Sequence, residues 1–161
     1  MKSHIFLSLT FIVFSCVEKN NPQAFEVKKS QNAFLMEVNK IRKSGCQCGD
    51  KFYPSTTGLN WDNALEKTAI AHSTDMAINN FFSHTGSDGT STSERILKSG
   101  YIFKSFGENI QTNTGFEPDE VQIINNWKLS PSHCQNLMNP NFKDMAVGRY
   151  GAYWTQILAS K

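Results

Sequence analysis

Met145-Ala146-Val147-Gly148-Arg149-Tyr150-Gly151-Ala152-Tyr153-Trp154-Thr155-Gln156-Ile157-Leu158-Ala159 decides the fold class. Met145 to Tyr150 and Ala152 to Ala159 are rich in Val, Tyr, Trp and Ile and meet at Gly151, the composition of two strands paired across a turn. Most of what precedes them is helical. Residues 25 to 44 space Phe34, Val38 and Ile41 as one helix face among Lys and Glu, and Gly45 ends the run. Residues 46 to 58 have no period and read as a loop. Asn60 or Asp62 caps a second helix that runs to about Asn80, with Leu65, Ala69, His72 and Met76 on its apolar face. After the turn cluster at 85 to 90, Ser91 or Ser93 opens a short helix that stops at Gly100. Tyr101 to Ile110 alternates loosely, as a strand does. Glu117-Pro118-Asp119 starts another helix, with Pro118 in its first turn and Val121, Ile124 and Trp127 spaced for burial. Ser130-Pro131 breaks it, and Ser132 caps a short helix carrying His133. This order predicts an α+β domain whose helices pack on a small antiparallel sheet.

The chain has 161 residues, enough for one domain with an appendage. Lys and Arg total 16 against 14 Asp and Glu, a formal charge of +2 with no basic run. Nucleic-acid binding therefore has no electrostatic support. The appendage is N-terminal. Lys2 precedes an apolar run from Ile5 to Phe14, long enough for a signal-peptide core and too short for a lasting membrane span. The run ends in Val13-Phe14-Ser15-Cys16, which resembles a bacterial lipobox, although Phe14 is bulkier than that motif usually carries. Lipidation at Cys16 is the expectation, with Asn20-Asn21-Pro22-Gln23 as a polar tether. Ordinary secretory cleavage nearby is the alternative.

Export makes disulfides available to Cys46, Cys48 and Cys134. A Cys-x-Cys bridge is strained, so one of the first two is expected to join Cys134. That bond closes a loop of about 87 to 89 residues, worth roughly 4–5 kcal/mol in the chain-entropy account. Zinc held by Cys46 and Cys48 is the alternative, and it lacks a second Cys/His pair at finger spacing. Three polar signatures stand out beside aromatic stretches: Phe81-Phe82-Ser83-His84, Gly107-Glu108-Asn109-Ile110 and Ser130-Pro131-Ser132-His133-Cys134. If they converge, two imidazoles and a carboxylate share one pocket, a set suited to a divalent metal or to acid–base chemistry. Glu108, flanked by apolar residues, must be paired, hydrogen-bonded or protonated once buried. His72, on an apolar helix face, reads as a core histidine with a hydrogen-bond partner. Asp75 and Arg95 read as an ion pair. Trp61, Trp127 and Trp154 read as core. Cys134 beside His133 is not a nucleophile pair, because neighbours on a helix point apart.

In order along the chain stand Leu59-Asn60-Trp61-Asp62, Ala71-His72-Ser73-Thr74-Asp75-Met76-Ala77, Asn80-Phe81-Phe82-Ser83-His84, Asp88-Gly89, Arg95 and Gly100-Tyr101. Gly107-Glu108-Asn109-Ile110, Trp127-Lys128-Leu129-Ser130-Pro131-Ser132-His133 and Tyr153-Trp154-Thr155-Gln156 follow. Together they resemble the bacterial branch of the CAP superfamily, the cysteine-rich secretory, antigen 5 and pathogenesis-related proteins. The resemblance implies a three-layer α-β-α sandwich with a surface cleft, over a domain spanning 28–161 behind a signal segment (1–15) and a tether (16–27). It implies His84, His133 and Glu108 as cleft residues, the two histidines as ligands for a divalent metal such as zinc, and a Cys48–Cys134 disulfide. The second glutamate of the family cleft falls at Ser130, which weakens any mechanism needing two carboxylates. The function it implies is an exported binding module, monomeric and anchored only through Cys16, whose cleft takes a metal and a lipid or other envelope ligand. A metal-dependent hydrolase with Glu108 as base is the alternative, and a structural module without turnover is another.

Overall fold

In the computed structural model, backbone is described from residue 22 and side chains from residue 30, with residues 114 and 116 left out. The expected signal segment and Cys16 lie outside the described residues. The elements are α1 (Pro22–Ser44), β1 (Cys46–Cys48), β2 (Lys51–Tyr53), β3 (Asn60–Trp61), α2 (Asn63–Ile78), α3 (Thr92–Lys98) and β4 (Ser105–Thr112). They continue with α4 (Glu120–Leu129), α5 (Pro131–Met138), β5 (Asp144–Tyr150) and β6 (Tyr153–Ser160). The order β3-β5-β6-β4 makes a four-stranded sheet with β4 at one edge. The closing hairpin pairs Met145 with Leu158 and Val147 with Gln156, and β4 pairs Glu108 with Ile157 and Asn109 with Gln156.

Helices cover both faces, giving three layers. Alternation along β5 and β6 sends Met145, Val147, Trp154 and Leu158 to one face. There they join Phe34 and Val38 of α1, Ile123, Ile124 and Trp127 of α4 and Leu137 of α5. Ala146, Ile157 and Ala159 face the other way, onto Leu65 and Ala69 of α2, Ile96 of α3 and Tyr101. Each large aliphatic side chain so buried contributes about 1.5–3 kcal/mol. On the second face α2 lies so close that a Cβ at Gly148 would overlap the backbone of Ala69 and Ile70. Arg42, fully buried at the end of α1, donates to the carbonyls of Thr57 at 2.8 Å, Leu137 at 2.6 Å and Asn139 at 3.0 Å. It ties the end of α1 to the loop at Thr57 and to the C-terminal end of α5, and burial brings its pKa down to about 10.

Several expectations shift. Helix α1 reaches back to Pro22, into the expected tether, and the supposed loop at 46–58 contains a small hairpin, β1 paired with β2. Asp62 caps α2, accepting from the amides of Ala64 and Leu65. Ser91 caps α3 in a capping box with Glu94, and Asp119 caps α4 with Gln122, so Pro118 precedes the helix. The buried face of α4 is Ile123, Ile124 and Trp127, while Val121 is exposed, because it lies about 110° around the helix from the centre of that face. Ser130, not Ser132, is the first residue of the α5 turn, with Pro131 at its first helical position. Strand β4 begins at Ser105 and not at Tyr101, which instead packs in the core and donates its hydroxyl to Asp144. The sheet is mixed, since β3 runs parallel to β5.

Candidate functional site

The edge strand β4 organises the site, because its successive side chains face opposite layers. Glu108 lies opposite Ile157 and looks toward α2 and α3; Asn109 lies opposite Gln156 and looks toward α5. Gly107, just before them, admits the approach of α5, since a Cβ there would meet Asn136 Oδ1 at 2.9 Å and Phe142 at 3.1 Å.

His84 arrives from the end of α2. Asn80 takes the left-handed conformation at φ 52°, and the Phe81 amide donates to Met76 O at 3.1 Å, a Schellman-type stop. The chain then turns back over the helix. His72, buried on α2, faces Ser83 O at 2.9 Å through Nε2. A carbonyl only accepts, so Nε2 carries the proton. Asp75 accepts from Ser87 N at 2.9 Å and from Asn79 Nδ2 at 2.8 Å, which pins the following loop. The expected Asp75–Arg95 pair therefore does not form. Arg95 turns to Glu108 instead, because Asp75 is satisfied locally by the loop it caps.

Glu108 is the centre of the cluster and only 8% exposed. Its Oε1 accepts from His84 Nδ1 at 2.7 Å and Thr92 Oγ1 at 3.0 Å; its Oε2 accepts from Arg95 Nη2 at 2.8 Å. Burial pushes the carboxyl upward, yet the His84 hydrogen bond and the Arg95 charge outweigh it and hold Glu108 below the usual glutamate value. An ionised Glu108 can only accept, so His84 carries its proton on Nδ1 and leaves Nε2 free. The His84 side chain is 57% exposed, so that nitrogen meets solvent. His72 Nε2 lies 4.0 Å from Glu108 Oε1. Burial nevertheless lowers the His72 pKa, with Glu108 opposing, and its Nδ1 has no partner among the described residues. His72 is a neutral core histidine that positions the His84 loop.

His133 comes from the opposite layer on α5. Its carbonyl accepts from Asn109 Nδ2 at 3.3 Å, while Asn136 Nδ2 reaches Asn109 Oδ1 at 2.8 Å and Glu108 O at 3.3 Å. Asn109 also donates to Gln156 Oε1 at 2.9 Å. The ring is half-buried, and its pKa is lowered by burial and then by repulsion from His84. Ser130 sits at the α4–α5 corner with its hydroxyl 3.4 Å from Ser132 Oγ.

His84 and Glu108 thus meet at one sheet edge, and Glu108 is joined to the His133 segment through Asn109 and Asn136. The Cys48–Cys134 disulfide forms, with Cα atoms 5.4 Å apart, and Cys46 keeps a free thiol. No local pattern marks Thr92 or Asn136 for the site, and Arg95 pairs with Glu108 in place of the expected Asp75. Glu108 does not hold a loop by accepting backbone amides; its partners are side chains. Both its oxygens are engaged and its basicity is reduced, so it is a poor general base.

The family model described as the cysteine-rich secretory protein family, CAP, matches residues 35–157. Protein YkwD of Bacillus subtilis strain 168 is 35% identical over 105 residues, which is 64% of this chain and 40% of that protein. The membrane protein YlbC of the same strain is 34% identical over 98 residues, 61% of this chain and 28% of YlbC. The chain thus spans less than half the length of these relatives. An extracellular SCP-domain protein of Bacillus anthracis superposes with a TM-score of 0.65 at 26% identity, covering 85% of this chain and 43% of that one. An outer surface protein of Borrelia burgdorferi superposes at 0.69 and 22% identity, covering 84% and 95% respectively, a likeness of fold.

Proposed function

The chain belongs to the cysteine-rich secretory protein (CAP) family, and on that premise we propose that it is an exported binding module whose cleft holds a divalent metal between His84 and His133. The observation that carries this reading is the His84–Glu108–Arg95 relay. A buried carboxylate fixes the imidazole tautomer and leaves Nε2 free at the surface, the arrangement by which proteins orient metal-binding histidines. The donor set fits a borderline cation such as Zn²⁺, with His84 and His133 as nitrogen ligands and Glu108 as the orienting group. Such an ion would supply Lewis acidity and an attachment point for an anionic or carbonyl group. Phe82, half exposed, lies two residues before His84 with its ring centroid 6.5 Å from that of Tyr153. That pair supports an apolar component in the ligand.

Export is supported by the extracellular and outer-surface character of the two structural relatives. No helix among the described residues is long and apolar enough to cross a membrane. Attachment through an acylated Cys16 completes the reading, and mass spectrometry of membrane fractions tests it: an unmodified mature chain beginning elsewhere removes the anchor.

Titration of the purified full chain with Zn²⁺ alone tests the cleft. One high-affinity equivalent is expected. His84→Ala with His133→Ala abolishes it, and Glu108→Gln weakens it about 10–100-fold while leaving both ligands in place. Unchanged stoichiometry in the double variant ends the metal claim.

A further inference from the structure

Away from the cleft, β1 and α5 enclose three sulfurs. Cys46 and Cys48 are buried on one face of β1, and Cys134 is fully buried on α5. Met138, Ile41 and Tyr53 pack around them. Cys48 is bonded to Cys134, and the remaining thiol, Cys46 Sγ, lies 3.6 Å from Cys134 Sγ. All three sulfurs lie within 4.8 Å of one another. The cleft has no use for a buried thiol in contact with a disulfide.

We infer that Cys46, Cys48 and Cys134 form a second reactive site, a thiol–disulfide exchange centre in which Cys46 is the nucleophile and Cys134 the central sulfur. Cys46 gives its proton to a solvent base, and the thiolate attacks Cys134 Sγ. The Cys46–Cys134 bond forms as the Cys48–Cys134 bond breaks; Cys48 leaves with the electron pair and takes up a proton. One disulfide and one thiol stand on each side of the step, so no oxidant or reductant is consumed. Attack on Cys48 would create the strained Cys-x-Cys ring, and Cys46 touches Cys134 instead. The three sulfurs form a bent cluster, because all lie within 4.8 Å of one another, so rotation of the Cys46 side chain must bring its sulfur into line with the Cys134–Cys48 bond before attack. Once aligned, the two sulfurs react intramolecularly, whereas Cys46, only 4% exposed, is shielded from thiols in solution.

The exchange changes which residue of β1 is tied to α5, from Cys48 to Cys46, one strand repeat or about 6.6 Å along the strand. Because Cys46 Sγ already lies 3.6 Å from Cys134 Sγ, the new bond closes by side-chain rotation and leaves α5 in place.

The test is disulfide mapping of the full chain, purified without reductant and incubated at mildly alkaline pH without denaturant. Samples are quenched and unfolded in acid, where thiolates are scarce. Free thiols are then blocked with N-ethylmaleimide, and fragmentation mass spectrometry locates the label. The expected result is label on Cys48 together with a Cys46–Cys134 bridge, both growing with time and faster at higher pH. Cys46→Ser abolishes both and keeps the single Cys48–Cys134 bridge. Label confined to Cys46 at every time and pH overturns the proposal, as does a second bridge that appears only in denaturant. Cys48→Ser checks it without trapping: folded protein that oxidises in air to a Cys46–Cys134 bridge supports exchange, and folded protein that retains both thiols refutes it.

Discussion

The two faces of the central sheet are covered by helices in opposite ways. Toward α1, α4 and α5 the contact is made by large apolar side chains, Met145, Val147, Trp154 and Leu158 against Trp127, Ile123 and Leu137. Toward α2 and α3 the sheet offers Ala146, Gly148, Thr155 and Ala159, and α2 comes close enough for Ser73 to donate to Gly148 O at 3.1 Å and Thr155 Oγ1 at 2.9 Å. Small residues bring the helix in, and that close approach leads into the buried polar cluster of His72, Thr92, Arg95 and Glu108. The first face is held chiefly by apolar burial, with the Arg42 and Asn109–Gln156–Asn136 hydrogen bonds at its margin, while the second buries a carboxylate whose penalty is offset only by complete pairing.

The largest expected break in this contrast is at Gly148. Gly148→Val places side-chain atoms into the α2 backbone and is expected to cost about 3 kcal/mol or more, since backbone cannot repack as a side chain can. Urea unfolding measures it, and a loss under 1 kcal/mol means that α2 does not ride this low.

Arg95→Met comes next. It leaves Glu108 buried and uncompensated, and a cost of about 3–5 kcal/mol is expected. Adding Glu108→Leu should recover most of it. On the apolar face, Leu158→Ala is expected to cost about 2–5 kcal/mol with no second-site rescue of that kind. If the double variant is no better than Arg95→Met alone, the polar face is not governed by charge pairing.

Acid gives the smallest effect and sharpens the same point. His72 and His133 have lowered folded pKa values through burial, so the unfolded chain binds protons near pH 6.5 that the folded one refuses. Stability is thus expected to fall as pH drops below about 6.5. Glu108, held below its unfolded value, contributes stability that is present above about pH 4.3 and is lost as pH falls through its folded pKa. His72→Gln should flatten the first of these declines in thermal melts, and an unchanged profile in that variant would show that His72 titrates normally.

Much of the fold was legible because its signals are local. Periodicity in α1 and α2, the capping candidates Asp62 and Ser91, and the β-rich run around Gly151 each depend on neighbours within a few residues. What was missed depends on distant partners. The β1–β2 hairpin has three residues per strand and leaves no period to detect. Val121 is exposed because the face of α4 that meets the sheet is centred on Ile123, Ile124 and Trp127, and that rotation is set by packing rather than by a local signal.

The sequence by itself determined the order of helices and strands, the disulfide candidates and the three polar signatures, since apolar periodicity and turn chemistry are properties of short segments; the three layers followed only from the family resemblance. Only the tertiary structure decided that β4 is an edge strand whose adjacent residues, Glu108 and Asn109, hold histidine segments from opposite layers. It also decided that Arg95 serves Glu108 rather than Asp75. The same holds for Cys46, whose place beside a disulfide sulfur depends on how α5 packs against β1. Partners separated by 13 to 88 residues are chosen by packing and charge satisfaction in three dimensions, which no local pattern encodes.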